Sequence, residues 1–124
     1  MTPWPNYEVL YYQDVKGNMP ARDFLWDLPE KVQVKVYKRI QLLEENGPNL
    51  PRPYADVLRE KIRELRVGFG SDHYRFLYFF HGKMVVLTHG FVKKTDRVPE
   101  EEIEKAVKIK NDFLIRTEGG DIEL

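Results

Sequence analysis

The sequence predicts a single α+β domain with a curved antiparallel sheet, a helical pair on one face and a C-terminal helix. Three observations predict this class. The chain has 124 residues, a length that suits one domain. Apolar residues recur at helical spacing in residues 20–46 and again after Pro99. Between these segments, residues 62–91 alternate with a period of two and are interrupted by short turns, as in an antiparallel meander.

The N-terminal half is predicted to contain one strand, two helices and a loop. Residues 6–12 (NYEVLYY) are rich in β-branched and aromatic side chains and form the first strand. Pro20 suits the first turn of a helix, which continues through ARDFLWDL. Pro29 restarts the pattern, and an apolar stripe over residues 30–46 ends at a Gly-Pro pair. The segment NLPRPYAD is predicted to be a loop, because proline cannot donate ladder hydrogen bonds.

The C-terminal half is predicted to contain three strands and a long helix. The strands cover residues 62–69, 72–80 and 84–91, and the sequences GSD and HGK form the turns between them. Pro99 followed by three glutamates begins the last helix, because acidic side chains suit the positive end of its dipole. Residues 1–124 are expected to form one domain, with a disordered tail at residues 117–124.

Composition excludes several classes of protein. The absence of cysteine excludes a disulfide framework and thiolate chemistry and suits a reducing compartment, so a cytoplasmic location is expected. No apolar run approaches the roughly 18 residues of a membrane helix, and no membrane partner is expected. The three histidines lack metal-ligand spacing, so neither a metal site nor another cofactor is expected.

Charge is distributed unevenly, although the formal net charge is zero. Residues 59–97 contain nine Lys/Arg and four Asp/Glu, whereas residues 98–124 contain four and eight. A basic middle favours a localised anion-binding surface over a generally cationic protein. Unequal charge blocks are also common in small proteins, so the charge pattern alone leaves both interpretations open.

Basic side chains are predicted to converge at one end of the sheet. Arg75 lies on the mixed face of the middle meander strand, which is expected to be open to solvent at its start. The side chains that can approach the same end are those of Arg63 or Arg66, His89, Lys93 and Lys94. A bulge would change which of them share a face. Guanidinium groups bind phosphate bidentately and aromatic rings stack on unpaired bases, so the residues predict an anion-binding domain.

Each of these residues also has a purely structural interpretation. Arg75 can be an edge residue paired with a carboxylate. Lys93 and Lys94 can belong to a solvated loop. A histidine on an apolar face, such as His89, is more often a packed side chain than a catalytic base. The sequence shows no Ser/His/Asp spacing, glycine-rich phosphate loop or carboxylate pair that would decide the matter.

Five short motifs in order resemble one protein family. They are Glu64-Leu65-Arg66, Tyr74-Arg75, His89-Gly90-Phe91, Lys93-Lys94-Thr95, and Pro99 followed by Glu102-Ile103. Together they resemble the phage-derived, HigB-like branch of the RelE/ParE superfamily, whose members are toxins of type II toxin–antitoxin pairs. The resemblance extends over about residues 5–115 and implies the small RelE-like fold.

The resemblance implies an endoribonuclease, or mRNA interferase, that cleaves messenger RNA on the ribosome without a metal ion. In such a reaction the RNA's own 2′-hydroxyl attacks the adjacent phosphate. The catalytic residues that it implies are Arg75, Arg66, His89 and Lys94. The residues expected to bind RNA are Arg63, Lys93, Phe91 and Lys61, with Gly90 allowing close approach of the RNA. The expected partners are ribosome-bound mRNA and a cognate antitoxin, a helix-turn-helix protein from an adjacent gene.

Two departures from the family pattern leave alternatives open. Glu64 stands where the better-studied RelE branch has a lysine, and the C-terminal end of the chain is acidic. One alternative is a toxin that binds a protein target, as the ParE branch does with DNA gyrase. Another is an inactive relative that only binds an antitoxin. Cleavage of translated messages would indicate the nuclease, whereas DNA damage would indicate a gyrase poison.

Overall fold

The computed structural model describes residues 6–120 as one sheet with helices on both faces. The strands are β1 (Glu8–Tyr11), β2 (Ala55–Val57), β3 (Arg63–Phe69), β4 (Asp72–His81) and β5 (Met84–Val92). The helices are α1 (Pro20–Trp26), α2 (Glu30–Asn46) and α3 (Glu100–Glu118), and a 3₁₀ turn (Gly47–Asn49) follows α2. Within residues 6–120, no helix combines the length and apolar character that a membrane crossing requires. The last four residues of the predicted disordered tail lie outside the described residues.

The five strands are ordered β1-β5-β4-β3-β2 in a single sheet. The meander of β3, β4 and β5 is antiparallel, which confirms the α+β class and the RelE-like arrangement of the sheet and its helices. The sheet is antiparallel except at β1, which pairs parallel with β5. Strands joined by a tight hairpin must be antiparallel, whereas parallel strands need a long connection. The chain between β1 and β5 includes two helices and three other strands, so no hairpin constrains this pair.

The short edge strand β2 lies in the segment that was predicted to be a loop. Its three residues pair antiparallel with β3. Prolines immediately before an edge strand are tolerated, since the outward N–H groups of such a strand need no partner in the sheet. The prediction of a loop is therefore wrong for residues 55 and 56, the last two of that segment, and β2 ends one residue beyond it.

One face of the sheet packs against α1 and α2. The predicted apolar stripe of α2 is confirmed, because Val32, Val36, Ile40 and Leu43 are all buried. The residues of the meander strands buried in the same core are Leu65, Val67, Tyr74, Phe76, Tyr78, Val85 and Leu87. Burial of large apolar side chains on this face supplies the main driving force for folding.

The opposite face of the sheet is covered by α3 over most of its length. Ala106 and Phe113 of α3 are buried together with Leu77, Phe79 and Val86 of the sheet. The helix covers the mixed face of β4, which was predicted to be open to solvent at its start. Only the start of that face lies beyond the helix, and there the sheet borders a cleft.

A bulge at Thr88 changes the direction of the side chains at the end of β5. The β4–β5 ladder skips this residue, and its hydroxyl donates to the Leu77 carbonyl at 3.1 Å. Leu87 faces the core beneath α1 and α2, whereas His89 faces α3. The alternation expected from the sequence, with both residues on one face, is wrong beyond Thr88 because one extra residue reverses it.

Gly90 follows the bulge and faces α1. A Cβ at this position would lie 2.4 Å from Cδ2 of Phe24 and 2.9 Å from Cε2 of Phe76. The contact that requires a glycine is thus with Phe24, and no approach of RNA is needed to explain it. We expect Gly90→Ala to lower the free energy of unfolding by about 1–3 kcal/mol, because it overpacks a filled core. Urea denaturation measures this loss. A matched control is Gly68→Ala in β3, where the Cβ would meet nothing nearer than 4.0 Å; equal losses in the two variants would contradict the packing argument.

Candidate active-site cleft

Five charged side chains alternate in sign across β2, β3, β4 and the segment before β2. The Arg52 guanidinium lies 2.7 Å from Asp56, and Asp56 lies 3.4 Å from Arg66. Arg66 Nε donates to Glu64 at 2.8 Å, and the other oxygen of Glu64 lies 3.4 Å from Nε of Arg75 in β4. We call these five residues the charge row. It contains three guanidinium groups and two carboxylates, so one positive charge is left over.

Strand register explains why the charge row forms. Glu64 and Arg66 are two residues apart in β3 and therefore share a face. Arg66 stands directly opposite Arg75 in β4, and Glu64 stands opposite Asp56 in β2. Like charges directly opposite each other in a sheet repel, so the two arginines need a carboxylate between them. Glu64 fills that position and is only 2 % exposed.

Arg75 is the most deeply buried cation of the row. It is 7 % exposed, which contradicts the expectation that this residue is open to solvent. Nη1 of Arg75 donates to the Tyr74 carbonyl at 3.0 Å. Burial lowers the pKa of Arg75 and the Glu64 carboxylate raises it, but a guanidinium stays charged at neutral pH in either case. Because its surroundings contain little water, this charge attracts an anion more strongly than a solvated charge would.

Four members of the charge row, all except Arg52, form one wall of a cleft of about 530 Å³, which we call the Arg75 cleft. The loop between β5 and α3 forms the other wall and contributes Lys93 and Arg97. Neither of these cations has an ion-pair partner in the described part of the chain. The loop carboxylate Asp96 also borders the cleft, and Glu100 is already held by Arg59 at 3.0 Å. The lining residues carry four cations and four carboxylates, and the cleft region has an excess of positive charge because Arg52 and Arg59, outside the lining, pair with Asp56 and Glu100.

A family model described as "Phage derived protein Gp49-like (DUF891)" matches residues 23–111. This span is well over half of the chain and includes the whole charge row. The chain belongs to the Gp49-like family. This family is associated with RelE-like toxin–antitoxin proteins, which agrees with the broader part of the resemblance drawn from the motifs. No curated protein matches the chain.

The Gp49-like fold brings three of the predicted site residues together. Arg66, Arg75 and Lys93 all line the Arg75 cleft. Lys94 points to an adjoining groove of about 360 Å³, which it shares with His73. The choice between Arg63 and Arg66 is settled by strand parity, because Arg66 shares the face of Arg75.

Three predicted RNA-binding residues lie outside the Arg75 cleft. Arg63 is on the opposite face of the sheet, with its guanidinium 5.2 Å from the centre of the Phe80 ring. Lys61 is exposed in the turn before β3, where Glu60 accepts a hydrogen bond from α3. Phe91 is half-buried and packs in the core beneath α3. Arg63 does not converge with Arg75, because strand parity places its side chain on the other face of the sheet. Phe91 stands directly opposite Arg75 in the β4–β5 ladder, but it packs beneath α3 and does not line the cleft.

His89 is enclosed between β5 and α3. It is 2 % exposed, its Nε2 lies 3.2 Å from Glu102 and its ring stacks on Phe91. Burial lowers the pKa of His89 to about 3, and the positive charge of Lys105 acts in the same direction. The Glu102 carboxylate favours the charged ring, but removal of water from the imidazole outweighs it. A neutral ring enclosed by α3 cannot contact a substrate in the cleft. His89 is therefore not one of the residues that form the candidate site.

The depressed pKa of His89 predicts a pH dependence of stability. Between pH 6.5 and about 3, the unfolded chain binds a proton at this ring that the folded chain does not. Stability is therefore lost as the pH falls through this window. We expect wild type to lose roughly 2–3 kcal/mol more than His89→Gln between about pH 7 and pH 4.5. Urea titrations at several pH values measure the difference, and parallel curves for the two proteins would contradict this assignment.

Sequence reasoning missed four members of the site region. Asp56, Glu64 and Arg97 line the Arg75 cleft, and His73 lines the adjoining groove. His73 is exposed and lies two residues before Arg75, so both side chains project from the same face of β4. Glu64 and Arg66, and likewise His73 and Arg75, are two residues apart in a strand, and this spacing predicts that each pair shares a face of the sheet. The contribution of Arg97 could not be read from the sequence, because it depends on the path of a loop.

Proposed function

We propose that this Gp49-like protein is the toxin of a type II toxin–antitoxin pair and acts as an endoribonuclease. The observation that carries the proposal is the environment of Arg75. Arg75 is 7 % exposed, its charge is balanced only by a carboxylate that it shares with Arg66, and it borders a cleft with two more cations. Such an arrangement suits an RNA phosphate, and the cognate antitoxin and ribosome-bound mRNA are the partners in this proposal.

The proposed reaction uses a nucleophile that belongs to the RNA. The 2′-hydroxyl attacks the adjacent phosphorus while the bond from phosphorus to O5′ breaks. The hydroxyl proton passes to a base, a proton is delivered to O5′, and the products carry a 2′,3′-cyclic phosphate and a 5′-hydroxyl. Arg75 and Arg66 stabilise the negative charge that develops on the phosphorane oxygens. Lys93 and Arg97 hold the neighbouring phosphates.

We assign proton transfer to His73 in place of His89. His73 is exposed, and alternation along β4 places it about 6–7 Å from Arg75, within reach of the same nucleotide. A histidine side chain exposed at the site can act as base or acid. The other two histidines are less suited: His89 is buried, and His81 lies at the far end of β4 against Phe113. Lys94, beside His73, adds positive charge near the leaving oxygen.

Cleavage by the purified chain is expected to persist in excess EDTA, because the nucleophile is the RNA's own hydroxyl. His73→Ala should slow the reaction by about 10²–10⁴-fold, as expected for loss of a general acid or base. His81→Ala is the control and should cleave at the wild-type rate. Single-turnover assays on an mRNA, with analysis of the product ends, measure these effects.

Three results would contradict the proposal. Loss of cleavage on chelation, with rescue by magnesium or manganese, would contradict the mechanism. Growth arrest with DNA damage and intact messages would indicate a toxin with a protein target instead. Unaffected growth on expression of the folded chain alone would indicate an inactive relative that only binds an antitoxin.

A further inference from the structure

A second basic surface lies outside the Arg75 cleft, on α2 and the neighbouring end of β3. It lines a groove of about 510 Å³ that contains no carboxylate. We call it the α2 surface; its cations are Lys31, Lys35, Lys38 and Arg39. In the part of the chain that the structure describes, none of these four side chains forms an ion pair. Four uncompensated cations on three turns of one helix make a local field that attracts polyanions.

Aromatic rings accompany the cations of the α2 surface. Nζ of Lys35 lies 5.9 Å from the centre of the Phe69 ring and donates to the Gly68 carbonyl. The Arg39 guanidinium lies 4.5 Å from the centre of the Tyr54 ring. Phe69 and Tyr54 are exposed residues, at 39 % and 36 %. Cations beside exposed rings match a single-stranded nucleic acid, whose phosphates need positive charge and whose unpaired bases need a stacking partner.

The α2 surface and the Arg75 cleft meet at the same edge of the sheet. The backbone N–H of Arg66 donates to the Tyr54 carbonyl at 2.8 Å. This hydrogen bond holds Tyr54, whose ring contacts Arg39, next to Arg66, whose side chain lines the cleft. Between α2 and Arg66 this edge carries Arg52, whose side chain is 73 % exposed, and Asp56, which pairs with both Arg52 and Arg66.

We propose that the α2 surface binds the single-stranded RNA that flanks the scissile phosphate and guides it into the Arg75 cleft. The inference rests on the proposed nuclease function and adds a binding track to it. Positive charge alone would also suit an acidic protein or an acidic part of a second copy of the chain. The exposed aromatic rings favour RNA, because unpaired bases can stack on them.

A binding experiment with uncleavable RNA tests the proposal separately from catalysis. The probe is a short single-stranded oligonucleotide with 2′-O-methyl groups throughout, so that no attack can occur. The test variant is Lys31→Gln/Lys38→Gln, and the matched control is Lys105→Gln/Lys108→Gln on α3; all four lysines are exposed. The test variant should bind roughly tenfold more weakly at physiological salt, and the slope of log K against log salt should fall by about 1.4.

Each outcome decides the question. Weaker binding confined to the α2 variant supports the track. Wild-type affinity in that variant, or equal weakening in the α3 control, overturns it. Failure of the proposed function has a different signature, because an inactive wild type would cleave no RNA whatever the two variants bind. If the α2 variant keeps its RNA affinity but loses affinity for an acidic protein, the surface belongs to a protein partner and the proposal is overturned.

Discussion

Arg75→Ala is expected to lower the single-turnover rate of RNA cleavage by at least about a hundredfold, because it removes a charge-assisted, bidentate contact to the phosphorane. Arg75→Lys should restore little of the rate. The guanidinium donates to the Tyr74 carbonyl and faces Glu64 while its remaining edge borders the cleft. A lysine ammonium is a compact point charge. It lacks the planar arrangement of donors with which the guanidinium can contact Tyr74, Glu64 and a phosphate at the same time.

Folding must be measured beside the rate, since Arg75 is buried. Truncation leaves Glu64 with one guanidinium instead of two, and we expect a loss of about 1–3 kcal/mol in the free energy of unfolding. Arg63→Ala is a matched control, because Arg63 lies on the opposite face of the sheet over Phe80. This control should cleave like wild type. If Arg75→Ala stays folded and also cleaves like wild type, the active site is not in this cleft.

Local sequence patterns predicted most of the fold. The predicted limits of α2, residues 30–46, are those of the structure, and each meander strand agrees to within one residue. Helical and strand periods, glycine turns and proline starts are properties of neighbouring residues, so they can be read directly. The parallel pairing of β1 and the edge strand β2 could not be read, because both depend on contacts between segments far apart in sequence.

The site was predicted less completely than the fold, and particular residues show why. Arg66 and Arg75 meet because of strand parity, and Lys93 joins them from the loop after β5. The expectation for His89 failed because α3 closes over its ring, and this contact joins segments that the local pattern of β5 does not connect. Glu64 was first noted only as a departure from the RelE pattern. In three dimensions it is the carboxylate that allows two arginines to face each other across β3 and β4.

Glu64→Gln is expected to be the most destabilising change in the charge row. Glu64 is 2 % exposed, and it is the only buried carboxylate in residues 6–120. A neutral amide would leave Arg66 and Arg75 directly opposed with nothing to offset their repulsion. Breaking a buried ion pair from one side costs about 3–5 kcal/mol. Urea denaturation at neutral pH measures the loss, and the variant should also cleave RNA slowly because Arg75 is no longer held in place.

Asp56→Asn is the matched control for this change. It removes the other carboxylate of the charge row, but the Asp56 side chain is 23 % exposed and its closest partner, Arg52, is 73 % exposed. Water solvates the charges of such an exposed pair, so the free energy of unfolding is expected to fall by about 1 kcal/mol or less. The double variant Glu64→Gln/Arg75→Met should be more stable than Glu64→Gln alone, because it removes the opposed charge as well. If Glu64→Gln costs no more than Asp56→Asn, the two arginines do not depend on Glu64, and a contact other than this carboxylate holds Arg75 at the cleft.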